Sequence, residues 1–251
     1  MSEAMEAEFD TVAQWTAQVA ADLGPEFHIP AACRGSGSPA ALDWLIDQMR
    51  LAPGQVLLDC GAGVGGPAAY AAMSRSVLPV LVEPELGACR AARTLFDYPV
   101  IQAAGGALPL ADERFDAAWA LGVLCTTADQ QTLLDELRRT VRPDGRIGLL
   151  AFVAHRDVPP NQLEDNNFPT PSRLVELVKD AALEVEHWLC TVDLPAIPPE
   201  WTEREEAVTE ALADRHGDTR AWQLAERQSK RIARLLEDGT LTGELLVLRR
   251  G

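Results

Sequence analysis

The feature that most constrains this chain is an alternation. Short apolar runs of strand composition recur, and stretches of helical periodicity separate them. The runs are 56–60, 77–83, 100–103, 115–123, 146–153, 184–190 and 244–250. Helical patterns fall at 66–74, 85–96, 127–141 and 170–182. In 127–141, Leu133, Leu134, Leu137 and Val141 share one face. RPDG at 142–145 is expected to end that helix with a turn. Thr170 and Pro171 read as an N-cap followed by proline at the first helical position. Such alternation predicts a mostly parallel sheet covered on both faces. Ligands of such sheets bind at the carboxyl ends of the strands, near the point where strand order reverses. The loops at 60–66, 83–86, 103–110, 121–128 and 153–170 are therefore where chemistry is expected.

Two regions lie outside this alternation. Residues 1–50 are read as an N-terminal helical lid. One helix runs from about 4 to 23, and another opens at Ser38 and Pro39. A Gly/Pro/Ser loop, FHIPAACRGSGSP, joins them at 27–39. Residues 194–243 are read as a helical insertion of two polar helices split near His216–Asp218. The acids of 200–218 and the bases of 220–234 are expected on solvated faces. The core domain would then be 51–193 together with 244–251.

The first run leads into VLLDCGAGVGGP, residues 56–67. Gly61 and Gly63 permit backbone conformations closed to residues with a Cβ and bring backbone amides close to a ligand. Gly66 and Pro67 open a helix at no cost, because the missing proline N–H would be unpaired in the first turn. Glu83 follows Gly61 by 22 residues, at the carboxyl end of the second strand. A carboxylate there can accept from both hydroxyls of a ribose. A nucleotide site is expected. An acid beside a pyrophosphate is unfavourable, whereas one beside a sulfonium and an ammonium is tolerated. Asp59 therefore tilts the reading toward S-adenosylmethionine.

Four stretches sharpen this: VLLDCGAGVGG (56–66), LVEP (81–84), ALPLADERFDAAWALGVL (107–124) and LRRTVRPDGRIGLLAF (137–152). In this order and spacing the chain resembles a class I S-adenosylmethionine-dependent methyltransferase. It is most similar to the small-molecule branch that includes ubiquinone/menaquinone-biosynthesis enzymes. The resemblance implies a three-layer α/β sandwich, Rossmann-like, with a mostly parallel seven-stranded sheet and one antiparallel strand. It implies that Asp59, Gly61 and Gly63 line the methionine and ribose portion and that Glu83 holds the ribose hydroxyls. Residues 104–106, Ala104 and Gly105 among them, would border the adenine. The backbone at Leu121 would face the methionine moiety. Two departures stand out. Many relatives carry Asp where this chain has Ala104, and Leu-Glu-His where it has Leu124-Cys125-Thr126.

Methyl transfer requires placement of a nucleophile and exclusion of water; a base is needed only for a nucleophile that holds its proton tightly. His155, in FVAHRD directly after the fifth strand, is the general-base candidate; a surface loop histidine is the competing reading. Asp157 is a weaker candidate. Arg34, the first positive charge of the chain, could pair with the cofactor carboxylate. Trp15, Phe27, His28 and Trp201 are candidates to line the substrate side of the lid, with core packing as the alternative for each aromatic. His187 and His216 are read as structural and exposed, respectively.

Composition sets the outer bounds. Net charge is −16, and the six acids of residues 1–33 face no Lys or Arg. That disfavours a nucleic-acid substrate. No basic leader with an apolar run follows Met1, and no stretch reaches the roughly 18 to 20 apolar residues of a membrane span. The five cysteines are scattered and form no CxxC pair, which argues for a reducing cytoplasm and against zinc. The expected activity is methyl transfer to a small molecule at O, N or C. A non-catalytic binding or scaffold role and an NAD-dependent oxidoreductase are the alternatives. A homodimer is left open.

Overall fold

The computed structural model describes residues 3–156 and 166–250. Its strands are β1 (Val56–Cys60), β2 (Leu78–Glu83), β3 (Val100–Gln102), β4 (Phe115–Leu121), β5 (Val141–Ala154), β6 (Leu183–Cys190) and β7 (Leu241–Arg250). They form one seven-stranded sheet in the order β3-β2-β1-β4-β5-β7-β6. The pairs among β1 to β5 are parallel, and β7 runs antiparallel to both β5 and β6. β1 has β2 on one side and β4 on the other, so strand order reverses between β1 and β4. This is the seven-stranded sheet with one antiparallel strand that the resemblance implies.

The helices are α1 (Glu3–Glu6), α2 (Ala13–Leu23), α3 (Pro25–Ala32), α4 (Pro39–Gln48), α5 (Gly66–Arg75), α6 (Leu86–Leu95), α7 (Gln130–Thr140), α8 (Pro171–Asp180), α9 (Pro199–His216) and α10 (Arg220–Glu237). Side chains alternate across each strand, so neighbours serve opposite layers. Leu57, Trp119, Leu245 and Val247 pack with Leu42, Leu45 and Ile46 of α4. Leu58, Leu149, Leu246 and Leu248 pack with Leu133, Leu134 and Leu137 of α7 and Leu174 and Leu177 of α8. α5 and α6 cover the β1–β3 side through Ala68, Leu81, Cys89 and Ala92.

A third body caps one end of this sandwich. Val12, Val19 and Ala20 of the N-terminal helices share a core with Ala31 and Ala32 of α3, Val208 and Leu212 of α9, and Trp222 and Ala225 of α10. Segments from opposite ends of the chain thus build one cap. Ala91 and Leu95 of α6 join the same cluster and tie it to the sandwich.

Four local expectations need correction. The first helix is not uniform: Ala7–Val12 is a π-helical turn, and the Ala13 N–H reaches the Glu8 carbonyl. The stretch from 27 to 32 is helix, not loop. Gly24, at φ +127°, ends α2, and Pro25 opens α3. Pro30 removes one backbone bond inside α3, but burial of Pro30, Ala31 and Ala32 offsets that loss. α4, placed by sequence within the lid, belongs to the sandwich, because its apolar stripe faces the sheet. Residues 142–145 do not separate helix from strand. Val141 already pairs with Phe115, and the register shifts through exposed Arg142, Pro143 and Asp144 and buried Gly145 before Arg146 pairs with Ala117.

Candidate cofactor site

The turn after β1 sits where strand order reverses. Gly61, Gly63 and Gly65 have φ of +73°, +52° and +88°. At Gly61 the positive φ is compounded by crowding, since a Cβ there would collide with Val123, just beyond β4. Four amides of this turn are spent inside the protein. The N–H groups of Gly61 and Ala62 both donate to the Val82 carbonyl, at 2.8 and 3.1 Å. The Gly65 N–H donates to the Ala62 carbonyl at 2.8 Å. The Gly63 N–H donates to Glu83 Oε2 at 2.8 Å. These four amides are close to the site but already have partners inside the protein. A pyrophosphate is held by such donors.

Two buried carboxyls lie beside the turn. Glu83 ends β2 and is 5% exposed. Its other oxygen accepts from the Glu85 N–H at 3.1 Å. Each carboxylate oxygen can accept a second bond, so room remains for two hydroxyls. Burial pushes Glu83 up to about 7, against the stabilising amides of Glu85 and Gly63. Asp59 is 2% exposed and shares the sheet register and face with Trp119. Burial pushes Asp59 up to about 7 as well; the Trp119 indole and Ala68 amide work against that rise and Glu83 adds to it. The indole faces the carboxyl without completing a bond. Asp59 Oδ2 and Trp119 Nε1 each reach no partner among the described residues. A buried carboxylate oxygen with unused capacity suits a cationic ligand group.

The chain between α3 and α4 crosses this site as a strap. A Cβ on Gly66 would meet the Ala32 carbonyl oxygen at 2.6 Å and the Cys33 nitrogen at 2.5 Å. A Cβ on Gly122 would meet the Gly35 carbonyl oxygen at 2.8 Å. The strap therefore runs against the start of α5 and the end of β4 by backbone contact. Arg34 sits on it, exposed, with its guanidinium 6.0 Å from the Trp222 ring centroid. Its charge acts on Glu8 and Glu205, lowering carboxyls that burial otherwise raises. In this structure Arg34 faces the cap's acids.

The remaining candidates spread widely. Ala104 is exposed at the end of β3 and its carbonyl accepts the Ala107 N–H at 3.1 Å. Gly105 abuts Leu133 and Cys60. Leu121 is buried, and the Gly122 N–H donates to the Leu150 carbonyl at 2.9 Å. The loop below them is clamped by Arg139, which donates to the carbonyls of Leu108 and Leu110 and to Glu136 and Asp112. No sequence signal singled out that arginine. Trp15 stacks on His216, ring centroids 3.9 Å apart, which corrects the expected exposure of His216. Phe27, half-buried, packs against the cap core, and His28 sits edge-on to Phe96. Trp201 is buried beside Tyr70 in the cluster with α4. Each of the four proposed substrate contacts thus has a packing partner. His155 is exposed after β5, with Nε2 2.8 Å from Thr242 Oγ1. Asp157 lies outside the described residues. No cluster of His, Cys, Asp and Glu among the described residues could hold a metal ion.

Strand order, the glycine turn at the reversal point and the acid ending β2 define a class I S-adenosylmethionine-dependent methyltransferase fold. Residues 58–149, which contain the glycine turn and the acid ending β2, match the methyltransferase domain family. The chain is similar to methyltransferase GfsG of Streptomyces halstedii, 30% identical over 120 residues, covering 43% of this chain and 42% of that protein. It thus spans less than half of that curated relative. Among solved structures it resembles the cyclopropane synthase MmaA2 from Mycobacterium tuberculosis (TM-score 0.67, 15% identity), covering 94% of this chain and 97% of that one. It also resembles the [4+2]-cyclase SpnF (TM-score 0.65, 21% identity), covering 83% and 79%.

Proposed function

We propose that the protein transfers a methyl group from S-adenosylmethionine to a small organic acceptor. The observation that carries this reading is the pairing pattern at the reversal point. The amides of Gly61, Ala62, Gly63 and Gly65 are already engaged, and two buried carboxyls stand beside them. That arrangement repels a pyrophosphate and accepts a cation with ribose hydroxyls, which weighs against an NAD-dependent oxidoreductase. Glu83 would hold the ribose hydroxyls, Asp59 would face the charged methionine portion, and the backbone near Ala104 and Gly105 would border the adenine. When bound, the cofactor supplies an electrophilic methyl on a sulfonium. The chain's own task is then to position the acceptor and exclude water, for which strap and cap are placed. The net charge of −16 supports a small molecule over nucleic acid. No helix among the described residues is long and apolar enough to cross a membrane. We take the site of action to be cytoplasmic.

Calorimetric titration with S-adenosylmethionine, S-adenosylhomocysteine and NAD tests the reading. Binding of the first two and not of NAD is expected, followed by methylation of a component of a small-molecule extract. Binding of NAD alone would overturn the assignment. Cofactor binding with no turnover would favour a binding or scaffold role.

A further inference from the structure

A buried acid sits behind the exposed histidine at the end of β5. Glu244 is 7% exposed in a strand that otherwise buries Leu241 and Leu245 to Leu248. Its Oε2 accepts the Trp188 indole N–H at 2.7 Å, and its Oε1 accepts the Thr242 hydroxyl at 2.6 Å. The Cys190 thiol faces the same carboxylate. Thr242 Oγ1 in turn lies 2.8 Å from His155 Nε2. The backbone at His155 is anchored too, since its N–H donates to the Thr240 carbonyl at 3.0 Å.

Proton counting fixes the direction of this chain. An indole N–H only donates, so Oε2 is an acceptor. A hydroxyl carries one proton, and Thr242 gives it to Oε1. Toward His155 the hydroxyl can then only accept, so Nε2 bears a proton and, in the neutral ring, Nδ1 keeps its lone pair. His155 follows β5 directly, on the carboxyl edge of the sheet that also carries the glycine turn. We propose that Thr242 and Glu244 are positioning residues that hold His155 as the Nε2–H tautomer. They thereby make Nδ1 the base toward a hydroxyl-bearing acceptor. The role as base rests on the methyl-transfer reading above; the tautomer does not. In the proton step the acceptor O–H bond breaks, its electron pair stays on oxygen, and a new N–H bond forms at Nδ1. The imidazolium is then held through Nε2–H and Thr242 by the Glu244 carboxylate. Among the described residues, nearby charged groups include Arg156, next in sequence, and Asp238, which feels Arg156.

The test begins with imidazole nitrogen NMR of the full chain, with no ligand. Neutral His155 is expected as the Nε2–H tautomer. Thr242→Val should lose that preference while the amide spectrum keeps its dispersion, and Thr242→Ser should restore it. An Nδ1–H tautomer in the natural chain, or no change in Thr242→Val, would overturn the proposal. For the acceptor found in the extract screen, the methylated atom should be a hydroxyl oxygen. Thr242→Val should then lower kcat by roughly tenfold or more with little change in KM, and Thr242→Ser should recover it. Methylation at nitrogen or carbon would sink the base role. A chain with the expected tautomer but no affinity for S-adenosylmethionine would overturn the methyl-transfer reading and the base role with it, leaving the hydrogen-bond chain intact.

Discussion

Asp59 and Glu83 are placed against their own solvation, and that placement sets how the free protein responds to pH. Both carboxyls are raised to about 7 by burial. An acid raised on folding binds more protons in the folded state, so its contribution is fully present below the unfolded value. That contribution is lost as pH rises through about 7. Between about pH 4 and 7, these two groups therefore make the ligand-free chain less stable as pH rises. The expected size is a few kcal/mol per group at most. Asp59→Asn should flatten this slope, measured by urea unfolding across that range, and an unchanged slope would show the carboxyl is not buried as described. Glu83→Gln is expected to weaken S-adenosylmethionine binding by roughly 10- to 100-fold, the loss of a hydrogen bond to a charged group. Calorimetry on the folded variant reads that loss directly.

Among the elements, the contacts that fix the cap are backbone contacts, and substitutions there act by displacement. In Gly66→Ala the new methyl meets the backbone of Ala32 and Cys33, which cannot rotate away. A loss of about 1–3 kcal/mol is expected, with faster amide exchange in α3 and the strap than in the sheet. Asp10 makes a second fixed joint. Its Oδ1 accepts the Gly87 N–H at 2.5 Å, so the N-terminal π-turn caps α6 from outside. Asp10→Ala should cost about 1 kcal/mol, as lost N-caps do, and thermal unfolding measures it. α3 itself was not legible as a helix, because Gly24, Pro25 and Pro30 together read as a loop. Its stability comes from burial against α9 and α5, which no local pattern reports.

For the molecule as a whole, the N-terminal helices and the insertion before β7 behave as one cap, since they share a core. Trp222 is 3% exposed at its centre. Trp222→Ala is expected to cost about 3–5 kcal/mol. Hydrogen exchange should show loosening of residues 3–32 together with α9 and α10, while β1, β4 and β5 keep their protection. Loosening of α9 and α10 alone would mean that the two segments do not fold as a unit. Ligand linkage acts on the same scale. S-adenosylhomocysteine at about 100 times its Kd should stabilise the chain by about 2.7 kcal/mol, and NAD should not.

The sequence by itself determined the strand and helix alternation, the glycine turn, and the acids Asp59 and Glu83 at the ends of β1 and β2. Those features are written in neighbouring residues, through periodicity, turn chemistry and spacing along a single strand–helix–strand unit. The tertiary structure alone decided which turn amides are engaged, because their acceptors lie on β2. It alone turned Arg34 toward Glu8, Glu205 and Trp222, and gave α4 to the sandwich instead of the lid. It alone brought Thr242 to His155 across 87 residues of chain. Each of these outcomes depends on which distant segments the sheet order makes adjacent. A hydrogen bond or a packed face is satisfied by whatever lies within reach in space, and spacing along the chain does not encode that.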